Sequence, residues 1–343
     1  MTSLQRVLTT LGHQEPDRVP LFLLLTMHGA KELRCSIQEY FSRAESVIEG
    51  QLSLRAKYGG DCLYSFFYAA IEIEAMGGEV LYRTDGPPNA GAPILEDLER
   101  LPGLRWPDPA TSPVLARVLH ATRELKARVG DEAPIIGVVI SPFSLPVMQL
   151  GFERYLSLLL ERPELFAALM AANEEFTVAW ANAQLAAGAT AICYFDPMSS
   201  PTIIPRELYL RTGYQVARRT LSRIKGPTAT HLASGRGLPI LADLATTGTA
   251  VVGVSTLEDL GELKAAAKGK VTLLGNLNGV EMRRWTPREA EEKVRRAIAQ
   301  AGRGGGFILA DNHGEIPFQV EEETLLAISE AVRRFGSYPL VEG

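Results

Sequence analysis

The feature that most constrains the fold is an eightfold alternation of short apolar runs with segments that carry apolar residues at helical spacing. The apolar runs are predicted strands, and they cover residues 18–26, 60–68, 134–140, 189–195, 228–231, 249–255, 270–275 and 305–310. Alternating βα units imply parallel strands joined by right-handed crossovers. Eight such units favour a closed α/β barrel, the (β/α)8 or TIM barrel, over an open doubly wound sheet.

The whole chain, 1–343, is predicted to form a single barrel domain, since its length suits one large α/β domain. An amphipathic segment from Ser3 to Leu11 predicts a helical extension ahead of the first strand. Residues 79–113 are rich in proline, glycine and aspartate, which indicates an irregular excursion with a small hairpin. No Gly-x-Gly-x-x-Gly motif follows the first strand, which argues against a dinucleotide-binding fold.

Composition argues against several classes of function. The formal charge of -5 leaves no basic footprint, so nucleic acid is not an expected partner. The longest apolar run, residues 134–152, is interrupted by prolines and serines and predicts a strand, a turn and a helix start rather than a membrane span. The three cysteines, at 35, 62 and 193, form no CxxC pair, which suits a reduced cytoplasm. We therefore expect a cytoplasmic protein without a signal sequence.

Polar residues stand where the predicted strands end. In a (β/α)8 barrel the catalytic side chains come from the carboxyl ends of several strands, which surround what we call the mouth. The residues at these ends are His28, Tyr68, Ser141, Asp196, His231, Ser255, Asn276 and the cluster Asp311-Asn312-His313. The opposite strand ends carry mostly Gly, Pro, Lys and Arg in turns. This polarity predicts a mouth that holds a small molecule.

His231 and His313 are the first candidates for chemistry. Each ends a β-type run and is followed closely by glycine. Histidine is both the commonest metal ligand and a frequent proton carrier. The alternative for each is that it ends a strand and bonds a nearby carbonyl group.

Asp196 ends the fourth predicted strand, where it would act as a general acid, a base or the partner of a cation. The alternative is a turn starter ahead of Pro197. If Asp196 faces the mouth, alternation places Tyr194 on the same side and directs Cys193 and Phe195 at the helices. Cys193 would then be a buried structural thiol.

A series of short motifs resembles the uroporphyrinogen decarboxylase superfamily, and their order and spacing are more specific than any one of them. They are Arg6-Val-Leu, Pro16-Asp-Arg-Val-Pro20, Glu74-Ala-Met-Gly77, Ser141-Pro-Phe-Ser144, Asp196-Pro-Met-Ser-Ser-Pro201, His231 with Gly235, Gly275-Asn276, Gly305-Gly-Phe-Ile-Leu309 and Ile316-Pro317. The resemblance covers nearly the whole chain. It implies a (β/α)8 barrel with a funnel at the carboxyl ends of its strands.

The decarboxylase branch of this superfamily holds the substrate carboxylates with arginines of an Arg-Gln-Ala-Gly-Arg motif. It also uses an aspartate after the second strand to bind the pyrrole NH groups. Here the first motif reads Met27-His28-Gly29-Ala30-Lys31, and the aspartate position is Tyr68 or an aromatic neighbour. A site without those arginines cannot easily neutralise several carboxylates, which argues against genuine uroporphyrinogen decarboxylation.

The Asp196-Pro-x-x-Ser and Ser141-Pro-Phe segments are closer to the cobalamin-dependent methyltransferases, such as methylcobalamin:coenzyme M methyltransferase. Those enzymes hold Zn²⁺ with a His-x-Cys pair and a later Cys. Here the pair reads His231-Leu232-Ala233, and the later position is His313. The resemblance thus implies a metal, Zn²⁺ or another, on His231, His313 and either Glu315 or Asp311. The alternative is a site without metal in which the histidines act as acid or base.

The leading hypothesis is methyl transfer from a methylated corrinoid, such as methylcobalamin on a separate corrinoid protein, to a small acceptor. Two alternatives remain open: decarboxylation of uroporphyrinogen or another carboxylate, and a non-catalytic barrel that binds a tetrapyrrole or corrinoid. The resemblance also implies a homodimer. The residues predicted to be catalytic are Asp196, His28 and Asn276, and those predicted to bind substrate are Tyr68, Ser141, Ser144, Tyr194 and Ser234.

Overall fold

A computed structural model describes residues 1–340 of the chain. The strands are β1 Leu21–Phe22, β2 Leu63–Tyr64, β3 Val80–Leu81, β4 Asn89–Ala90, β5 Ile135–Ile140, β6 Ala191–Phe195, β7 Thr228–His231, β8 Val251–Gly253, β9 Thr272–Leu277 and β10 Phe307–Asp311. The helices before β5 are α1 Ser3–Leu11, α2 His28–Leu33, α3 Ile37–Ser42, α4 Ala44–Tyr58, α5 Ile71–Ala75 and α6 Pro113–Val129. Those after β5 are α7 Pro146–Leu150, α8 Phe152–Glu161, α9 Pro163–Ala186, α10 Arg206–Arg211, α11 Gly213–Leu221, α12 Leu241–Leu244, α13 Leu260–Ala267, α14 Pro287–Ala301 and α15 Glu322–Phe335.

Eight parallel strands form the (β/α)8 barrel that the alternation predicted. Their order around the sheet is β1-β10-β9-β8-β7-β6-β5-β2. Between β1 and β2 the contact is made by Asp61, whose backbone N–H donates to the Leu21 carbonyl at 2.7 Å. The Asp61 carboxylate in turn accepts the Leu21 N–H at 2.8 Å. One buried side chain thus bridges the two ends of the strand order.

The first two strands are shorter than predicted. Only two residues of each pair in the sheet, where residues 18–26 and 60–68 were expected. In the first case the Leu25 N–H bonds the Leu23 carbonyl at 2.9 Å, so the chain turns away soon after β1. The excursion at 79–113 does contain a hairpin, in which β3 and β4 pair antiparallel. No helix within residues 1–340 combines the length and the apolar character needed to cross a membrane.

Alternate residues of the strands fill the barrel interior. A buried apolar cluster draws on the strands around the barrel and includes Phe22, Leu24, Tyr64, Val138, Cys193, Val251, Leu274, Ile308 and Ala310, with Phe195 packed against it. Tyr194 instead belongs to the layer between barrel and helices, together with Trp180. The predicted facing of β6 was therefore wrong by one residue, because a strand that is apolar on both faces carries no pattern to tell them apart.

Helix α1 closes the end of the barrel opposite the mouth, which we call the floor. Its Val7 joins the interior cluster, and its Arg6 reaches two aspartates. Arg6 lies 2.6 Å from Asp17 and 2.6 Å from Asp61, and Arg18 lies 2.8 Å from the same Asp61. The fully buried Asp61 carboxylate therefore faces two guanidinium groups. The predicted N-terminal extension is part of the barrel's packing.

Candidate functional site

The two candidate histidines come together at the mouth. His231 is the last residue of β7, and His313 follows the end of β10 by two residues. Gly314, the residue after His313, lies against both Phe195 and His231. A Cβ placed on Gly314 would be 2.7 Å from the Phe195 ring and 3.5 Å from His231 Cε1. Burial, and secondly the neighbouring His313, lower the pKa of His231 to about 4. The carboxyl ends of parallel strands thus bring together His231 and His313, which are 82 positions apart in the sequence.

His231 is fixed in one neutral form. Its ring stacks on Phe195, with centroids 5.6 Å apart and planes 20° apart. Its Nδ1 accepts the Ala233 N–H at 3.0 Å, so the ring proton belongs on Nε2. That Nε2 is buried and has no partner. Gly253 makes room for the ring, because a Cβ there would lie 2.5 Å from His231 Cδ2. His231 therefore offers an oriented and unused hydrogen-bond donor.

His313 is held from two sides. Its Nδ1 bonds the Ser234 hydroxyl, and its Nε2 lies 3.3 Å from the Asn278 side-chain oxygen. Burial lowers the pKa of His313, which favours the neutral ring. Ser234 was predicted as a substrate-binding residue, and it contacts this histidine. The ring is positioned by its neighbours and remains partly exposed to the mouth.

Glu315 is a carboxyl group without a cation. The Thr26 hydroxyl donates to its Oε1. Burial raises the pKa of Glu315 to about 8, and the second contribution comes from the nearby Asp311. Within residues 1–340 no lysine or arginine pairs with Glu315, and Asp311, when ionised, has a charge of the same sign. The side chain is only partly enclosed by protein atoms, so a ligand can reach it.

Asp311 supports the turn that carries His313. Its Oδ2 accepts the His313 and Gly314 N–H groups at 2.9 and 3.1 Å. Its Oδ1 is buried without a partner, and burial raises the pKa of this carboxyl to about 7. Asp311 thus shapes the turn and places a second ionisable group beside Glu315.

The predicted metal set does not fit this geometry. Residues 1–340 contain no group of three His, Cys, Asp or Glu side chains that could hold an ion. His313 uses one ring nitrogen on Ser234 and turns the other to Asn278, and Glu315 accepts from Thr26. A shared ion would require three donors about 2 Å from one point. We therefore assign no chemical step to zinc at His231, His313 and Glu315.

The Asp196 backbone N–H donates to the His231 carbonyl at 2.8 Å, but the Asp196 carboxylate lies in a cluster of serine hydroxyls. Its Oδ1 accepts from Ser141 at 2.6 Å and Ser144 at 2.8 Å, and its Oδ2 accepts from Ser199 at 2.6 Å. Burial raises the pKa of Asp196, and the three hydroxyl donors counteract that rise. Ser144 Oγ also accepts the Met198 N–H at 3.1 Å. These contacts tie the loops after β5 and β6 together and leave this carboxylate no evident role at the mouth.

His28 lies in a different cavity, of about 290 Å³, which Lys31, Arg34 and Lys57 also line. Both ring nitrogens of His28 are buried without partners, and its ring packs 5.9 Å from that of Phe318. Burial, with Lys31 second, lowers the pKa of His28 to about 3. The residues that line this cavity include neither His231 nor His313.

The remaining predicted residues are dispersed. Tyr68 donates to Glu74 at 2.5 Å and packs against Phe41, among aromatic rings on the helical side. Tyr194 is fully buried on that side as well. Asn276 is anchored near the mouth, where its amide donates to the Ser255 carbonyl at 3.1 Å. Tyr68 and Tyr194 thus pack in the protein interior, whereas Asn276 remains with the histidines.

Sequence reasoning missed several residues of the mouth. Thr26 was read as part of the strand that leads to His28, and Phe195 was assigned to the helical side. Asn312 was named in the cluster at the end of the last strand but was given no role; it continues the interior face of β10 two residues after Ala310, is 1% exposed, and has no partner for either amide atom. No local signal marks Asn278.

Comparison with known proteins agrees with this architecture. The chain is 29% identical to the uroporphyrinogen decarboxylase of Methylococcus capsulatus, over 95% of this chain and 96% of that one. It is 28% identical to that of Xylella fastidiosa, over 96% and 98% of the two chains.

Among solved structures, a methyltransferase from Methanosarcina mazei has a TM-score of 0.86 at 22% identity, over 98% of this chain and 99% of that one. A B12-independent methionine synthase from Shewanella scores 0.55 at 16% identity, over 94% and 95% of the chains. These likenesses describe the fold. Residues 2–335 match the model of the uroporphyrinogen decarboxylase (URO-D) family. The chain belongs to that family.

Proposed function

We propose that this chain catalyses methyl transfer from a methylated corrinoid to a small acceptor bound at the mouth. The methyl donor would be carried on a separate corrinoid protein. The chain's own contribution is to bind the acceptor, orient it and exchange a proton with it. Because the predicted ligands form no group within residues 1–340 that could hold an ion, the proposal does not depend on zinc.

The uncompensated Glu315 carboxyl is the observation that carries this proposal. Uroporphyrinogen has several carboxylates, which need cationic partners in a buried site. At the mouth such a substrate would meet Glu315 and Asp311, and within residues 1–340 neither carboxyl group pairs with a lysine or an arginine. A substrate without multiple negative charges fits these surroundings better.

The residues of the mouth divide into three tasks. His231 Nε2 would donate to a heteroatom of the acceptor. Glu315 would take up the proton that the acceptor loses when it gains the methyl group, since a group with a pKa near neutral pH exchanges protons readily. His313, held by Ser234 and Asn278, would form the side of the site next to His231.

Structural similarity gives the proposal secondary support. The solved chain described above as a methyltransferase aligns over nearly the whole length of both proteins. At 22% identity this likeness concerns the fold, so the reaction class rests on the site.

Decarboxylation is the second candidate. It is favoured by the curated relatives, which are named uroporphyrinogen decarboxylase and share up to 29% identity. The charge at the mouth argues against the porphyrinogen itself and leaves a smaller carboxylate as the alternative substrate. A non-catalytic corrinoid-binding barrel would be a third outcome of the same assays.

The test is loss of the methyl group from methylcobalamin in the presence of thiols, amines or alcohols, followed by its absorbance. We expect transfer to at least one acceptor, and we expect His231→Ala to lower kcat/KM about 100-fold. His120→Ala, on the outer helix α6, is the matched control and should leave the rate unchanged. Turnover of uroporphyrinogen would overturn the proposal, and tight corrinoid binding without turnover would favour the non-catalytic barrel.

A further inference from the structure

We infer that the barrel interior, between the floor and His231, is a binding site for a small apolar molecule of a few carbon atoms. This inference goes beyond the proposed function, because the molecule is not the methyl acceptor and binds below the mouth. Its binding needs no methyl donor, so it can be measured separately.

A cavity of about 70 Å³ lies inside the barrel and follows β7. Thr228, Ala229 and His231, the first, second and last residues of that strand, line it. The cavity therefore extends from the floor end of β7 to the histidine at the mouth. One water molecule needs roughly 10–15 Å³ of such space, so the cavity can hold a molecule of several non-hydrogen atoms.

Small side chains leave this space open. The interior of a (β/α)8 barrel is normally filled by bulky branched residues, but β6 and β7 contribute Ala191 and Ala229. Both alanines are partly exposed, although the residue that follows each of them in its strand is buried. Ile136 of β5, which also lines the cavity, is partly exposed between two buried neighbours. The exposed surface of these three residues thus marks a space that the barrel does not fill.

The wall of the cavity is uncharged. Among residues 1–340, no lysine, arginine, aspartate or glutamate lines it. Cys62 and Cys193 line it as neutral thiols, since burial raises the pKa of Cys193 to about 12 and that of Cys62 well above its usual value. A wall of this kind favours an alkyl group over water, which needs about two to four polar partners.

The cavity reaches the surface at the floor. Pro227 and Ala250, the residues immediately before β7 and β8, are exposed and line it. Val7 and Leu11 of the floor helix α1 line it as well. The opening thus lies between α1 and the starts of these two strands, so a small molecule can enter without passing through the mouth.

His231 belongs to both the cavity and the proposed site. Its ring stacks on Phe195, and Gly253 leaves just enough room for it, so the ring has little freedom to move. A molecule in the cavity contacts this residue. Binding should therefore shift the NMR signals of the His231 ring along the same saturation curve as those of the cavity wall.

Propane and ethylammonium, which are nearly equal in size, separate an apolar site from a polar one. In methyl NMR spectra, propane should shift the signals of Val251, Leu274 and Ile308, which line the cavity, in a saturable way. The methyl signals of Leu115 and Val118, which are buried in another cluster, should stay unchanged. Ethylammonium should shift neither set, because its charge would lose its hydration. Propane shifts that do not saturate, or that are equal in both sets, would overturn the inference.

Variants locate the site. Ala229→Val should raise the Kd for propane at least about tenfold, because the added methyl groups occupy the cavity. Ala191→Val fills the same cavity from β6 and serves if the first variant does not fold. Ala90→Val, in the β3–β4 hairpin outside the cavity, is the matched control and should bind propane as wild type does. Unchanged propane binding in a folded Ala229→Val or Ala191→Val protein would contradict the inference. Propane binding without methyl transfer would refute the proposed function alone.

Discussion

The two ends of the barrel surround their carboxyl groups in opposite ways. At the floor, Asp61 is fully buried and accepts from Arg6 at 2.6 Å and Arg18 at 2.8 Å. At the mouth, Glu315 has a hydroxyl donor in Thr26 and a like charge in Asp311. At the floor two arginines balance the charge of the carboxylate, whereas at the mouth no lysine or arginine within residues 1–340 pairs with Glu315.

The difference separates stability from function. A buried carboxylate with two guanidinium partners is part of the folded structure, and removing it leaves charges stranded. A carboxyl group with a strongly raised pKa beside unpartnered polar atoms is typical of a binding or catalytic site. The fold thus tolerates at one end an arrangement that it avoids at the other. Substitutions at the two ends should therefore change stability with opposite signs.

The largest effect is expected at the floor. Asp61→Asn should lower the free energy of unfolding by about 3–5 kcal/mol, because Arg6 and Arg18 would lose the carboxylate they share. The measurement is the urea unfolding curve at neutral pH. The control is Asp17→Asn, whose carboxylate is 42% exposed beside the same Arg6 and should cost about 1 kcal/mol or less. Equal losses of stability in the two variants would mean that burial does not determine how much these ion pairs contribute to the free energy of unfolding.

An intermediate effect is expected at the serine hydroxyls around Asp196, in the loops that follow β5 and β6. Ser141→Ala removes one of three hydroxyl donors to the buried Asp196 and should cost about 2 kcal/mol of stability. Since the Ser141 hydroxyl bonds the Asp196 carboxylate and neither histidine side chain, kcat/KM for methyl transfer should change less than about threefold. A large loss of activity with unchanged stability would return Asp196 to the catalytic role that its sequence position suggested.

The comparison also explains what the sequence could and could not predict. Apolar runs in alternation with helical segments are local signals, and they indicated the barrel and the convergence of His231 and His313. The facing of β6 was not predictable, because both faces are buried and apolar. Asp61 gave no sign of its role, since its partner Arg18 is 43 residues away. The hydrogen bonds of Asp196 were not predictable either, because they depend on the short helix Pro197–Ser199, which brings the Ser199 hydroxyl to the Asp196 carboxylate.

The most direct test of the account is the stability of Glu315→Gln against wild type at two pH values. The pKa of Glu315 is raised from 4.5 to about 8 in the folded protein, so between these two pH values the unfolded chain releases a proton that the folded protein retains, and stability falls as the pH rises. At about pH 4, below both pKa values, the carboxyl is protonated in both states, and the two proteins should be nearly equally stable. At about pH 9 the variant should be more stable by about 1 kcal/mol. A variant that is less stable than wild type at the higher pH would show that Glu315 has a stabilising partner, and would contradict the account.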